Sequence, residues 1–104
     1  MYGTVVRVRP KPGQEQATLD RIDQWLHERA PRVVGFITEY LLRSEAHPGE
    51  LLVLAVFASK EAYVANANDP AQDRWYQGFR ATLETDPEWN DGEIVALERS
   101  AVPI

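Results

Sequence analysis

The chain contains no cysteine. That excludes disulfides, thiolate metal sites, iron–sulfur clusters and cysteine nucleophiles together, and it fits a reducing cytoplasm. Histidine is scarce as well. His27 falls near the end of a helical segment and His47 in a turn, with no metal-ligand spacing between them, so no metal site is expected. The six glycines are scattered and form neither a nucleotide-binding fingerprint nor a phosphate-cradling loop. Ser44, Ser59 and Ser100 lack a Gly-x-Ser-x-Gly elbow, which leaves hydrolase chemistry without support. No apolar run approaches the length of a membrane span. Met1-Tyr2-Gly3-Thr4 has neither the charged nor the apolar region of a signal peptide, so a cytoplasmic location away from membranes is expected. Positive charge is also short. The net charge of -5 makes a surface that phosphate backbones repel, so nucleic acid is not an expected partner.

What is present amounts to a single domain over residues 1–104, with 44% hydrophobic and 26% charged residues, the balance of a globular chain. Tyr2 to Arg9 alternates as a strand, with Val6 and Val8 on one side and Val5, Arg7 and Arg9 on the other. Pro10-Lys11-Pro12-Gly13 stops it. Leu19, Ile22 and Leu26, with Trp25 beside them, give Gln14 to Arg29 a helical face that Pro31 ends. Val33 to Arg43 and Glu50 to Ala58 read as strands joined through Ala46-His47-Pro48-Gly49, an antiparallel hairpin. Ser59 is placed to cap a short helix that stalls at Asn66-Ala67-Asn68. Asp69-Pro70 restarts it, with Gln72 positioned to reach back as in a capping box. Trp75, Tyr76, Phe79 and Leu83 then line one face. Asp86-Pro87 stops that helix, Asn90-Asp91-Gly92 turns the chain, and Glu93 to Arg99 is the expected last strand.

This order predicts an α+β ferredoxin-like βαββαβ sandwich, a four-stranded antiparallel sheet with helices on one face. The third strand, Leu51-Leu52-Val53-Leu54-Ala55-Val56-Phe57, is apolar on both sides. Helices can cover only one of them, so a second copy related by two-fold symmetry is the expected cover, and a homodimer follows. The plainer alternative is a central strand whose exposed face is modest. Several functions of this fold are disfavoured by residue. Ferredoxins need cysteines. RNA-recognition domains need stacked aromatics on their middle strands, where this chain has only Phe57. Pro10-Lys11-Pro12-Gly13 is too proline-bound to present successive amides to phosphate, as an acylphosphatase would.

Four segments carry a family resemblance: Lys11-Pro12-Gly13 before a helix, Val34-Gly35-Phe36, Ser59-Lys60-Glu61-Ala62-Tyr63, and Asp86-Pro87-Glu88-Trp89-Asn90-Asp91-Gly92-Glu93. In this order and spacing the chain resembles the antibiotic biosynthesis monooxygenase-like family of dimeric α/β barrels, over nearly its whole length. The resemblance implies two protomers forming a dimeric α/β barrel and, in enzymatic members, a pocket between helices and sheet. Those members include cofactor-independent monooxygenases acting on polycyclic aromatics, haem-degrading enzymes and signal-processing proteins. Haem degradation is disfavoured, because residues 59–90 hold no histidine and the first strand no asparagine. Related sequences often carry Glu and Trp on the third strand where this chain has Ala55 and Phe57, a more apolar interior.

Cofactor-free oxygenation asks for a dry aromatic pocket and a few donors that hold developing negative charge. The candidate catalytic cluster is Asn66, Trp75, Tyr76 and Arg80: an amide donor, an indole N–H, a phenol, and a cation one turn further on. Read structurally instead, Trp75 and Phe79 are core, Asn66 a turn residue and Arg80 solvated. Arg7 and Glu39 are a second pair, able to meet in the barrel interior or across the dimer as an anion site or a structural ion pair. Two functions therefore stand side by side. One is cofactor-independent oxidation of an aromatic or enolisable small molecule. The other is a non-catalytic module that binds an apolar or aromatic small molecule, or serves as a structural dimerisation partner. Neither requires a cofactor.

Overall fold

The computed structural model describes residues 1–98 and Ser100. Its elements follow the order β1 (Tyr2–Val8), α1 (Glu15–Gln24), β2 (Phe36–Arg43), β3 (Leu51–Phe57), α2 (Lys60–Ala67), α3 (Pro70–Arg80) and β4 (Glu88–Glu93). The four strands form one antiparallel sheet in the order β2-β3-β1-β4. This is the ferredoxin-like arrangement that the alternation of strand and helix predicts.

Facing side chains assemble the core from both layers. Val6 and Val8 of β1 and Leu51 and Val53 of β3 meet Ile22 of α1, Phe79 of α3 and the fully buried Leu83. A buried hydroxyl pair ties the helices together. Thr18 donates to Thr82 Oγ1 at 2.8 Å, and Thr82 donates to the Phe79 carbonyl at 2.8 Å. Neither hydroxyl is left unsatisfied inside the core. α1 does not end at Gln24. It widens into a π-helical turn over Trp25–Arg29 and tightens into a 3-10 turn over Ala30–Arg32, where Pro31 stops it.

Both expected caps form. Ser59 accepts from the Ala62 N–H at 3.1 Å, and Asp69 accepts from the Ala71 N–H at 2.8 Å with Pro70 in the first turn. Gln72 does not close a capping box; its Oε1 accepts from the Trp25 indole N–H at 2.6 Å instead. β2 starts at Phe36 rather than Val33, because Val33 and Gly35 lie in a turn in which Gly35 takes φ 84.

The last strand differs most from expectation. β4 is Glu88–Glu93, not Glu93–Arg99, and residues 94–98 form no regular element; Arg99 lies outside the described residues. Asn90-Asp91-Gly92, which reads as a turn, runs inside this strand. Among the described residues β4 is an edge strand bonded only to β1, and an edge tolerates polar residues and glycine that a central strand would not. The Asn90 side chain donates to the Val5 carbonyl at 3.1 Å, and Gly92 sits opposite Gly3.

The sheet face away from the helices is uncovered over much of its area. In register across it run Val5, Leu54 and Tyr40, which are 41%, 37% and 64% exposed. Leu42 beside them is 54% exposed. Arg7 lies on this same face, bonded to Glu50 at 2.8 Å and 3.6 Å from Glu88. The hydrogen bond to Arg7 holds the Glu50 carboxyl below its ordinary value. Glu39 is on the opposite face, so within one protomer Arg7 and Glu39 do not pair. No helix among the described residues is long and apolar enough to cross a membrane.

Candidate functional site

The helix-facing side of the sheet carries one row that differs from its neighbours. Glu39, Ala55, Thr4 and Asp91 lie side by side on β2, β3, β1 and β4. The next row holds the larger apolar side chains Val6, Val53 and Leu41. Ala55 is smaller, and a cavity of about 120 Å³ lies against it, partly open to solvent. That size accommodates one aromatic ring, and the open side lets a larger ligand extend toward solvent.

Aromatic side chains from every layer make its wall. Trp25, held by the π-helical turn, packs edge-on against Phe36 with centroids 4.9 Å apart and reaches Trp75 at 6.4 Å. Trp75 stacks on Phe79 at 4.9 Å. Phe57 lies between Phe36 and Tyr63, at 5.6 and 5.3 Å. Trp89 completes the set, so all three tryptophans of the chain line the cavity.

Most polar groups around this wall are already engaged. The Trp75 indole N–H donates to the Arg21 carbonyl at 2.7 Å, and that of Trp25 to Gln72. Tyr63 donates to Asp91 Oδ1 at 3.0 Å; burial and then this bond push its phenol above the ordinary value. Arg29 Nη2 donates to Asn66 Oδ1 at 2.9 Å and lies 3.5 Å from Asp69. A guanidinium only donates, so this bond fixes the amide orientation and leaves the Asn66 NH₂ as the donor on offer.

Glu39 is the exception. Among the described residues it is the one charged side chain on the wall, its Oε2 is buried, and none of them bonds to that atom. Burial alone pushes its carboxyl from 4.5 up to about 7. Thr4 Oγ1, two strands away in the same row, is likewise buried without a hydrogen-bond partner among the described residues.

Of the four candidate residues, the fold brings two to the cavity. Asn66 and Trp75 line it; Tyr76 and Arg80 do not. Tyr76 packs against the core beside the cavity, with Phe79 and Trp89 each at 6.4 Å, and its phenol is raised by burial and by nearby Asp86. Arg80 bonds Asp86 at 2.7 Å and the Leu83 carbonyl at 2.9 Å, stitching the end of α3 to the following turn. Trp25, Gln72 and Tyr63 join the site although no sequence signal marks them for it. Glu39 stands out in the sequence as a charge within a strand, but only its register against Ala55 gives its face. No group of three or more His, Asp or Glu side chains placed to hold a metal ion is found among the described residues.

The comparisons with known proteins agree with this architecture. The chain is similar to a protein of unknown function from Nitrosomonas europaea, NE2512, at 24% identity with a TM-score of 0.76, covering 97% of this chain and 95% of that one. It is similar to Rv0793 from Mycobacterium tuberculosis at 16% identity and TM-score 0.75, covering 96% and 98%. A provisionally assigned antibiotic biosynthesis monooxygenase from Deinococcus radiodurans matches at 10% identity and TM-score 0.79, covering 98% and 100%. At these identities the likeness is one of fold. No curated protein matches the chain. The family model for antibiotic biosynthesis monooxygenase matches residues 1–78, so the Asp86–Glu93 segment that also bears the resemblance lies beyond it. With three quarters of its length matched, this chain belongs to the antibiotic biosynthesis monooxygenase family.

Proposed function

We propose that this protein takes up a flat aromatic or enolisable small molecule in the cavity over Ala55 and oxidises it with molecular oxygen, without a bound cofactor. The observation that carries this reading is the cavity itself: a gap in the core, walled by Trp25, Phe57, Trp75 and Phe79, in a chain of this family. In such a reaction a ring methylene becomes a carbonyl; one oxygen atom of O₂ stays on carbon and the other leaves as water. The electrons come from the substrate, once it has lost a proton. Asn66 is the donor that faces the developing oxyanion, and Trp75 is the stacking surface. Tyr76 and Arg80 support Trp89 and the end of α3 from outside the wall.

The working unit in this proposal is a homodimer. Val5, Leu54, Tyr40 and Leu42 make an apolar face on the bare side of the sheet, and a second copy packed by two-fold symmetry buries it on both partners.

A second reading, uptake without turnover, is favoured by a specific observation. The indole N–H groups of Trp25 and Trp75 are engaged, and no cation among the described residues lines the wall to hold an anion. Oxygen uptake with polycyclic phenols and quinols, with no flavin or metal added, separates the two. Oxidation consumes oxygen in the wild type and not in Ala55→Leu, whose side chain fills the cavity. Quenching of the three tryptophans without oxygen uptake marks a binder. Uptake that survives Ala55→Leu places the reaction elsewhere and refutes the proposal.

A further inference from the structure

If the cavity is the ligand site, as proposed above, its single charged group selects the ligand. Glu39 reaches the wall because it pairs with Ala55, in unbroken alternation with Leu41 and Arg43 on the helix-facing side of β2. Its Oε2 is a buried acceptor with no partner among the described residues. Such an atom is unfavourable until a donor meets it, and neither the sheet nor the helices supply one. Its side toward β3 is open to a guest, since its neighbour in the row is Ala55.

The groups facing it leave its charge uncompensated. From α2 come Tyr63, whose hydroxyl is turned to Asp91, and Asn66, whose oxygen is held by Arg29. Arg29 itself sits within 3.5 Å of Asp69. α3 contributes the uncharged Gln72, Trp75 and Phe79, and β1 and β3 contribute Thr4, Val6, Val53, Ala55 and Phe57. On its own strand, Arg43 shares the face but bonds Glu15.

We propose that Glu39 is the polar anchor of the cavity, accepting the O–H of a neutral hydroxylated aromatic or an enol and taking that proton in any reaction that begins with deprotonation. In that step the ligand O–H bond breaks, its electron pair stays on the ligand oxygen, and the proton bonds to Oε2 of Glu39. A carboxyl that changes charge near neutrality is matched to this task, ionised often enough to accept and basic enough to pull. The same arrangement rejects carboxylate and phosphate ligands, because a second negative charge would be buried beside the first with no cation near it.

Three probes of one shape test this: 1-naphthol, its methyl ether 1-methoxynaphthalene, and 1-naphthoate. Their dissociation constants are measured by equilibrium dialysis at about pH 6 and about pH 8, on either side of the Glu39 transition. The wild type binds naphthol about tenfold more tightly than the ether at the higher pH, the scale of one charge-assisted hydrogen bond, and the preference shrinks at the lower pH. Naphthoate binds weakest of the three. In Glu39→Gln the naphthol preference drops below about threefold and no longer depends on pH, while the ether binds at least as well as before. An unchanged preference in Glu39→Gln, or a wild-type preference that ignores pH, overturns the role of Glu39 while leaving the cavity as the site. Failure of naphthol and ether alike to bind the wild type overturns the cavity reading, and this inference with it. Because the wild-type pH profile is itself decisive, the test does not hang on how well the variant folds.

Discussion

Replacing Glu39 by Gln should stabilise this protein, and only above a certain pH. The carboxyl has an ordinary value of 4.5 and rises to about 7 in the folded chain, because burial disfavours the charged form. Between those values the folded state binds more protons than the unfolded state. Stability therefore falls as pH rises from 4.5 to about 7 and is level above it, the opposite of a salt-bridged carboxylate. At ~1.4 kcal/mol per pH unit, full ionisation costs roughly 3 kcal/mol. Part of that has already gone by pH 5, which leaves about 2 kcal/mol between pH 5 and pH 8. Glutamine keeps the shape and removes the titration. Urea unfolding of both proteins, at matched concentration and at those two pH values, measures the difference. Other titrating groups cancel in the subtraction. The variant should gain about 2 kcal/mol on the wild type between the two conditions. A difference that does not change with pH would show that Glu39 is solvated or paired, and one of opposite sign would show a cation beside it. Either result refutes the reasoning.

Phe79→Ala removes a ring that is 4% exposed and stacked on Trp75, so it should cost about 3–5 kcal/mol in thermal or urea melts. A cost below about 1 kcal/mol would mean that the cavity simply collapses around it. Leu54→Glu places a charge in the middle of the bare apolar face; sedimentation should then show a monomer where the wild type shows a dimer, with the far-ultraviolet spectrum retained. A dimer that persists would put the interface elsewhere. Ser59→Ala deletes the oxygen that accepts from Ala62 and should lower stability by about 1 kcal/mol; an unchanged urea midpoint would mean the start of α2 is held by packing alone.

Much of this fold can be read along the chain. Alternation in β1, the two-sided apolar run of β3, and the Ser59 and Asp69-Pro70 caps each state a local preference, and tertiary packing agrees with all of them. The edge strand is where local preference and final structure part. Asn90-Asp91-Gly92 favours a turn on its own, yet one strand of hydrogen bonds to β1 and the Asn90 contact with Val5 hold it extended.

The site divides in the same way. Trp75 and Asn66 can be found from helical periodicity and a helix break, because both signals lie within one element. That Tyr76 and Arg80 stand outside the wall depends on how α3 is rotated over the sheet, which single-helix periodicity leaves open among its own apolar and flanking positions. Glu39 depends on more. Its face follows from its register against Ala55, shared with Leu41 and Arg43; three residues away on an even strand Phe36 would face the other side, and the bulge before Thr38 adds one residue and turns it toward the helices as well. Composition and pattern thus determined three of the four strands, the helices, the Ser59 and Asp69 caps and the apolar outer face, since each follows from short-range chemistry. Only the folded chain decided which face the lone carboxyl occupies and that Ala55 leaves room beside it, because strand parity and an unfilled volume are properties of neighbours brought together from four different strands.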